Sequence, residues 1–351
     1  MATTTVTIDP EYLSTVTIPV AKEVVDAHYV KLNFLGAQER FWGKGKPTEE
    51  GGALWVQGWS IDEHSEDTEF LTGYEKLNLA VRKTIEDTQW TPVHIVRPVV
   101  LSLEEEVIQG TSTKVIDLAV ERTEKVMGAM MRRFEEQALM DNVAAWANLE
   151  TLNGVDDTAG FLENRASGSQ SNTVGGLSKA TYTAVTGTQN QWADIANSFN
   201  SNGLNALNAI SIRARNRTKD PSKLALFMSE TGLENYKRAV QGYERYISAD
   251  TIDTGKLQLS VNGVAAETSV YLPSVTGQTS ATDPLTAMLV DFNDIMVKFT
   301  KHPKLDGHFG MRPWRHGPGD QEIMLALCSF RGQLCARALG GSGLATRGET
   351  F

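Results

Sequence analysis

Two long stretches rich in aromatic and aliphatic positions read as extended chain, GGALWVQGWSIDE from Gly51 and TQWTPVHIVRPVVLSLEEE from Thr88. Between them lie the acidic, turn-prone HSEDTEF and the segment LTGYEKLNL. Extended stretches of this composition, separated by turn-prone polar residues, read as strands. The two stretches predict a long two-stranded hairpin over 51–103. Pro92 and Pro98 both fall in the second stretch, and proline cannot donate to a ladder, so that strand is predicted to lie exposed at an edge. The pattern then changes period. Ile116, Val120, Thr123, Met127, Met130, Phe134 and Ala138 follow a 4–3 spacing, while Glu121, Glu124, Lys125, Arg132, Arg133, Glu135 and Glu136 mostly take the remaining positions. This is one apolar stripe on an amphipathic helix, predicted over 112–142 and about 45 Å long at 1.5 Å per residue. Gly110 gives the turn before it, and Thr111 or Ser112 can cap it.

The flanking segments are less regular. In residues 1–50, Pro10 and Pro19 bracket an extended piece. Val20, Val24, His28, Leu32 and Leu35 then have helical spacing, with Gly36 as the stop and FWGKGKPTEEGG as a flexible exit. From Glu150 to Gly187 the chain is rich in Gly, Asn, Ser and Thr and reads as surface loop with short strands. Trp192 to Arg217 reads as a helix carrying Leu204, Leu207, Ile210 and Ala214, ended by Asp220-Pro221. KLALFM is a short buried strand, and Ser229 caps a helix through ETGLENYKRAVQGYERYI. Residues 256–273 read as a hairpin turning at Asn262-Gly263. Strands are predicted at 286–300 and 321–338, followed by the tail GGSGLATRGETF. The mixture is α+β.

Composition narrows the function. A length of 351 residues predicts about two domains, and 41% apolar residues suffice for a real core. The formal net charge of −10 argues against tight nucleic-acid binding, which Lys and Arg at phosphates would carry. Cys328 and Cys335 are too few for a disulfide framework and lack zinc spacing, so two buried thiols are expected. The sequence has no apolar run long enough to span a membrane and no secretory leader pattern, so a protein used inside a cell is expected. Phosphate-binding, metalloprotease and nucleophile-elbow motifs are all missing. The histidines, including His302, His308 and His316, lack convergent partners. No cofactor, no metal and no catalytic activity are expected. Trp55 and Trp59 share a strand face, either as core or as a contact face for another subunit. Arg213, Arg215 and Arg217, with Lys219, form either a solvated helix end or a contact with a neighbour's acidic loop or enclosed DNA.

Four segments, in this order and spacing, resemble a known family. They are GGALWVQGW followed by FLTGYEKL; TQWTPVHIVRPVVLSLEEEVIQG running through Ser-x-x-Glu-Glu into KVIDLAVERTEKVMGAMMRRFEEQAL; LNGVDDTAGFLENR with VGGLSKATY and Trp192; and KLALFMSETGLENYKRAVQGYERYI. The chain resembles the major capsid proteins of tailed bacteriophages, which share the Hong Kong 97-like fold. The resemblance implies an N-terminal arm at 1–50 and an extended β-hairpin loop at 51–100. It implies a peripheral domain at 101–189, with a long spine helix at 112–142 and Gly-rich loops. An axial domain would follow at 190–284, and the rest of the peripheral domain with a C-terminal tail at 285–351. It further implies a non-enzymatic subunit that self-assembles into hexamers and pentamers of an icosahedral head enclosing double-stranded DNA without specific binding. Assembly in the host cytoplasm, a location in the virion and no membrane partner follow. The partners would be other copies, a portal protein, a decoration protein and, because only about fifty residues precede the hairpin, a separate scaffolding protein. Contact candidates between subunits are Trp55, Trp59, Tyr74, Glu75, Trp90, Arg97, Arg213, Arg215 and Arg217. An encapsulin-like nanocompartment shell is the alternative, and an α/β enzyme is a more distant one.

Overall fold

The computed structural model of the chain describes residues 33–42, 48–49, 51–61, 83–102, 104–105, 112–139, 149–154, 160–163, 170–183, 185, 187–195, 198–241, 260–269, 271–272, 285–300, 309–317 and 323–347. The helices are α1 (Asn33–Trp42), α2 (Ser112–Leu139), α3 (Phe199–Arg215) and α4 (Glu230–Gln241). The strands are β1 (Thr48–Glu49), β2 (Trp55–Ser60), β3 (Ile85–Trp90), β4 (Val93–Ser102), β5 (Thr173–Val174), β6 (Leu177–Ser178), β7 (Gln191–Ile195) and β8 (Leu224–Met228). They continue with β9 (Ser260–Val261), β10 (Val264–Thr268), β11 (Leu285–Asp291), β12 (Ile295–Thr300), β13 (Phe309–Met311), β14 (Arg315–His316), β15 (Ile323–Ala336) and β16 (Gly343–Arg347). The chain divides into two units, each discontinuous in sequence.

The first unit comprises Met1–Ala53, Pro92–Glu136 and Val297–Gln333. Its sheet is organised around the long strand β15, which pairs antiparallel with β4 from Ser102↔Ile323 to Val93↔Gly332. β13 and β14 also pair antiparallel with β15. β12 neighbours β15, and β1 runs parallel to β12. The stripe on α2 is buried at Thr123, Met127, Met130 and Phe134. Phe134 lies 5.1 Å from Phe330 of β15, ring centre to ring centre, and Phe330 meets Phe299 edge-on at 5.5 Å. Ser102 and Glu105 form a reciprocal cap. Ser102 N–H donates to Glu105 Oε2 at 3.2 Å, and Glu105 N–H donates to Ser102 Oγ at 3.4 Å. The same carboxylate takes a forked pair of hydrogen bonds from Arg122, which also donates to Val100 O.

Several expectations change here. The second extended stretch is not one strand of the hairpin. It breaks at Pro92, and β4 leaves the hairpin to join β15. Among the described residues β4 has a strand on one side only, which accommodates Pro98. Gly36 lies inside α1 and does not stop it, because Phe34, Leu35, Ala37 and Gln38 are all buried and hold the helix. Gln38 exchanges two hydrogen bonds with the backbone of Val297, at 3.0 and 3.1 Å. The stretch expected as a flexible exit includes β1. Glu135, placed on the polar side by its charge, is 1% exposed and accepts from Leu35 N–H. Residues 20–32 and 140–142 of the predicted helices lie outside the described residues.

The second unit comprises Leu54–Thr91, Gln137–Met296 and Leu334–Phe351. Its sheet runs β7-β16-β11-β8-β10-β9. Every residue of β8 and β11 is buried, so these are its central strands. Phe199, Leu207, Ile210 and Ala214 of α3 and Tyr236 of α4 share a core with Leu224, Leu226, Met228, Ala287, Leu289 and Ala345. Ser229 caps α4 as expected, taking Gly232 N–H at 3.1 Å. Asn262 and Gly263 make the β9–β10 turn with φ of 50° and 78°. The predicted helix from Trp192 is strand β7 first and begins only at Phe199. The predicted strand at 286–300 is two strands that turn at 292–294 and join different sheets. The supposed tail supplies β16, seated between β7 and β11. Gly343 is required there, since a Cβ would lie 2.8 Å from Ile210 Cγ2 of α3.

The turn after β11 stores acid chemistry. Asp291 Oδ1 accepts from Asn293 N–H and its side-chain amide, while Oδ2 is buried without a hydrogen bond. Burial, and then the neighbouring Asp291, push Asp294 up to about 6, with Lys219 and Arg337 pulling the other way. Unfolded, Asp294 titrates near its ordinary 3.8. The folded chain therefore binds a proton that the unfolded chain lacks between about pH 4 and 6, and stability falls as pH rises through that window. Asp294→Asn should flatten this part of the stability–pH curve, removing a loss of roughly 2–3 kcal/mol between pH 4 and 7. Denaturant titrations at several pH values would read it. Glu150, pushed up to about 7 by burial, and Asp291, also raised by burial, leave a residual slope.

Candidate functional site: an anchored hairpin with an open face

β2 and β3 pair antiparallel from Trp55↔Trp90 to Ser60↔Ile85. Alternation sorts their side chains into two faces. Trp55, Trp59, Thr88 and Trp90 face inward at 5, 3, 0 and 1% exposure. Trp59 Nε1 donates to Ala336 O at 3.1 Å, and Trp90 Nε1 donates to Thr88 Oγ1 at 3.2 Å. Thr88 Oγ1 in turn donates to Gln57 O at 2.8 Å. The Trp90 ring meets Phe161 edge-on at 5.5 Å. The tight hairpin β5–β6 docks here. Gly175, at φ 56°, accepts Gln89 N–H at 2.8 Å, and a Cβ on it would sit 2.8 Å from Trp90 Cζ2. Tyr182 adds a hydrogen bond to Glu86 at 3.3 Å.

The opposite face is open. It carries Val56 at 58% and Ile85 at 57% exposure, with Gly58, Ser60, Asp87 and Gln89 also exposed. Leu54, just before β2, is exposed as well. The hairpin thus has a fixed side and an open side on which Val56 and Ile85 are the exposed apolar side chains.

Beneath the anchor is a buried polar node that the sequence does not announce. The Gly-rich segment is expected as surface loop, yet Phe161, Leu162, Glu163, Asn172, Lys179 and Asn190 are buried. Glu163 Oε2 accepts Ser171 N–H at 2.8 Å and Oε1 accepts Asn172 N–H at 2.6 Å. Lys179 Nζ sits 3.2 Å from Glu163 Oε1. Asn190 is bound on both sides: its Nδ2 donates to Glu163 O and Gln191 O, and its Oδ1 accepts Glu163 N–H, each at 3.0 Å. Gln170 closes the ring onto the Asn190 backbone. Burial is tolerated because these polar groups find partners. The one cue in the sequence is the density of Asn, Gln and Gly, which also describes exposed loops.

The contact candidates therefore divide. Trp55, Trp59 and Trp90 do not offer their rings to a neighbouring subunit, because the chain itself covers them. Within β2 and β3 the exposed apolar side chains are Val56 and Ile85 on the other face, which are not among the candidates. Tyr74 and Glu75 lie outside the described residues. Arg97 on β4 is exposed, as are Arg213, Arg215 and Arg217 at the end of α3, where Arg215 donates to Asn262 O. Cys328 and Cys335 are buried thiols, and burial pushes Cys328 up to about 12, far from a reactive thiolate. Among the described residues no cluster of His, Cys, Asp or Glu could hold a metal, and no helix is long and apolar enough to cross a membrane.

No protein-family model matches the chain, and no curated protein matches its sequence. Solved structures do match it by fold. One is the capsid of an empty GTA particle, with a TM-score of 0.54 at 10% identity over 88% of this chain and 96% of that one. Another is the capsid asymmetric unit of cyanophage A-1(L), with a TM-score of 0.57 at 11% identity over 87% and 90%. A third is the SrpI encapsulin complex from Synechococcus elongatus, with a TM-score of 0.50 at 12% identity over 86% and 83%. The chain thus has the mixed α+β fold of phage capsid proteins. Two of these structures are capsids and the third is an encapsulin complex.

Proposed function

We propose that this chain is the structural subunit of a closed icosahedral shell, the head of a tailed phage, built from hexamers and pentamers of the chain itself. The observation that carries the reading is a capsid fold in which one hairpin is fixed by three tryptophans on one face and bares Val56 and Ile85 on the other. In this reading the fold is Hong Kong 97-like. The hairpin β2–β3 is the extended loop, α2 is the spine helix, and the sheet with α3 and α4 belongs to the axial domain. The net charge of −10 suits a container whose double-stranded DNA is enclosed without being gripped. Scaffolding, portal and decoration proteins are the partners that such a head would use, in the host cytoplasm, before it becomes part of the virion.

The encapsulin match favours a second reading, a cellular nanocompartment shell with protein cargo. Purified protein examined by analytical ultracentrifugation and negative-stain microscopy tests both. Closed megadalton particles support a shell, and a monodisperse small species even with a scaffolding partner present would refute it. Particles recovered from their source then separate the two readings: nuclease-protected duplex DNA marks a phage head, and an enclosed protein marks a nanocompartment.

A further inference from the structure

The sheet of the first unit ends at β4, and its hydrogen bonds identify which backbone groups lie along that edge. On β15, Leu327 O accepts Arg312 N–H and Ile323 O accepts Gly317 N–H, each at 2.8 Å, on the side away from β4. Opposed residues in an antiparallel ladder either exchange both bonds or both point away. Pro98 and Ser102, opposite Leu327 and Ile323, therefore point away from β15, and by period two so do His94, Val96 and Val100. Unpaired edges invite strand addition, and folded chains usually block them. The far half of this edge is blocked. Pro98 has no N–H, Arg122 Nη1 donates to Val100 O at 2.6 Å, and Ser102 N–H donates to Glu105 Oε2 at 3.2 Å. The near half is open. Among the described residues, the edge-facing N–H and C=O groups of His94 and Val96 have no partner, and the Val96 side chain is 43% exposed. The surroundings are cationic. Arg331 stands opposite His94, held by a hydrogen bond to Gly52 O at 2.8 Å. Burial, and then the nearby charges of Arg312 and Arg331, lower His94. Arg97 is exposed between His94 and Pro98. Among the described residues none of these three arginines forms an ion pair.

We propose that the β4 edge from His94 to Val96 accepts a short, acidic, extended segment of a separate partner protein as an added strand. Main-chain hydrogen bonds to the open groups supply the affinity, as in other cases of strand addition. Carboxylates on the added strand lie beside Arg97 on one face and within the field of Arg331 and Arg312 on the other, which selects an acidic sequence. Pro98 and the Arg122 contact end the pairing beyond Val96. Two copies of this chain meeting edge to edge would bring the same cations against each other, and like charges directly opposite are destabilising. The occupant is therefore a different, negatively charged segment. The inference goes beyond the shell reading and does not depend on it, because the edge is complete within one subunit.

Fluorescence anisotropy of the full chain with a short labelled peptide of alternating glutamate and threonine tests the site. Saturable binding is expected, and the matching lysine–threonine peptide should not bind. Val96→Pro removes an N–H that has no partner within the chain, at an edge where proline is tolerated, so the unfolding midpoint should hold. Its affinity for the acidic peptide should fall about tenfold or more, the equivalent of one lost hydrogen bond. Arg97→Glu should weaken the acidic peptide as well. The glutamate–threonine peptide methylated at every backbone nitrogen keeps its charge but cannot pair as a strand, and it should not bind. If Val96→Pro fails to fold, the methylated peptide with the unmodified chain still decides the question. No binding of the acidic peptide overturns the proposal, as does equal binding of the methylated or the lysine peptide. Self-association of the chain that blocks the peptide and is lost in Val96→Pro would place a second copy at this edge and overturn it too.

Discussion

Trp90→Ala should lower the stability of the folded chain by about 3–5 kcal/mol, the range for deleting a large buried aromatic. Trp90 is 1% exposed, faces Trp55 across the hairpin, and meets Phe161 and the Gly175 turn on its other sides. The loss has two parts. A cavity opens among side chains that are held by separate backbone segments, so collapse onto it is restricted. Thr88 Oγ1 also loses a donor in a place with no exposure to water. Trp90→Phe keeps most of the apolar area and should cost only part of this. Gly175→Ala approaches the same spot from the other side. It strains a backbone at positive φ and adds a methyl 2.8 Å from Trp90 Cζ2. Because the added methyl enters the volume that Trp90→Ala vacates, the double variant should be less destabilised than the sum of the singles. Denaturant unfolding of the four proteins reads the cycle. Strict additivity, or a Trp90→Ala loss under about 1 kcal/mol, would mean that the hairpin is not anchored here.

What can be read from the sequence follows from the range over which each signal acts. The stripe from Thr123 to Phe134, the strand KLALFM, the Ser229 cap and the Asn262-Gly263 turn are set by residues a few positions apart, and all are legible. Partner exchange is not. Residues 85–102 suit an extended chain both before and after Pro92, so nothing local marks the switch from β2 to β15. β16 is hidden for another reason. Gly343 and Ala345 are small because α3 lies close to that strand, and small residues after a Gly-rich run look like a tail. The node of Glu163, Lys179 and Asn190 depends on partners 8 to 27 residues apart, which composition alone cannot reveal. The tryptophans stand out in the sequence, but their pattern does not assign them to the covered face. Period two says that Trp55 and Trp59 share a side, not which side the chain itself will cover.

That assignment of faces makes the strongest test of assembly possible without disturbing the fold. Val56→Asp with Ile85→Asp should leave the subunit folded and abolish closed particles. Val56 pairs with Gln89 and Ile85 with Ser60, and both side chains leave the same, outward side of the hairpin, more than half exposed. Surface changes of this kind shift stability by only about 0.5 kcal/mol, so the unfolding midpoint should be nearly that of the parent. At an interface, however, each aspartate would have to be buried without a partner, which costs several kcal/mol. A shell repeats the same contact in every subunit, and moderate contacts add up only if each can form. Val56→Thr, which keeps the shape but weakens the apolar contact, should lower particle yield without eliminating it. Sedimentation and microscopy on the same preparations separate the outcomes. Particles at parental yield from the double aspartate variant would show that this face is not buried between subunits, and the anchored tryptophans would then serve the fold alone.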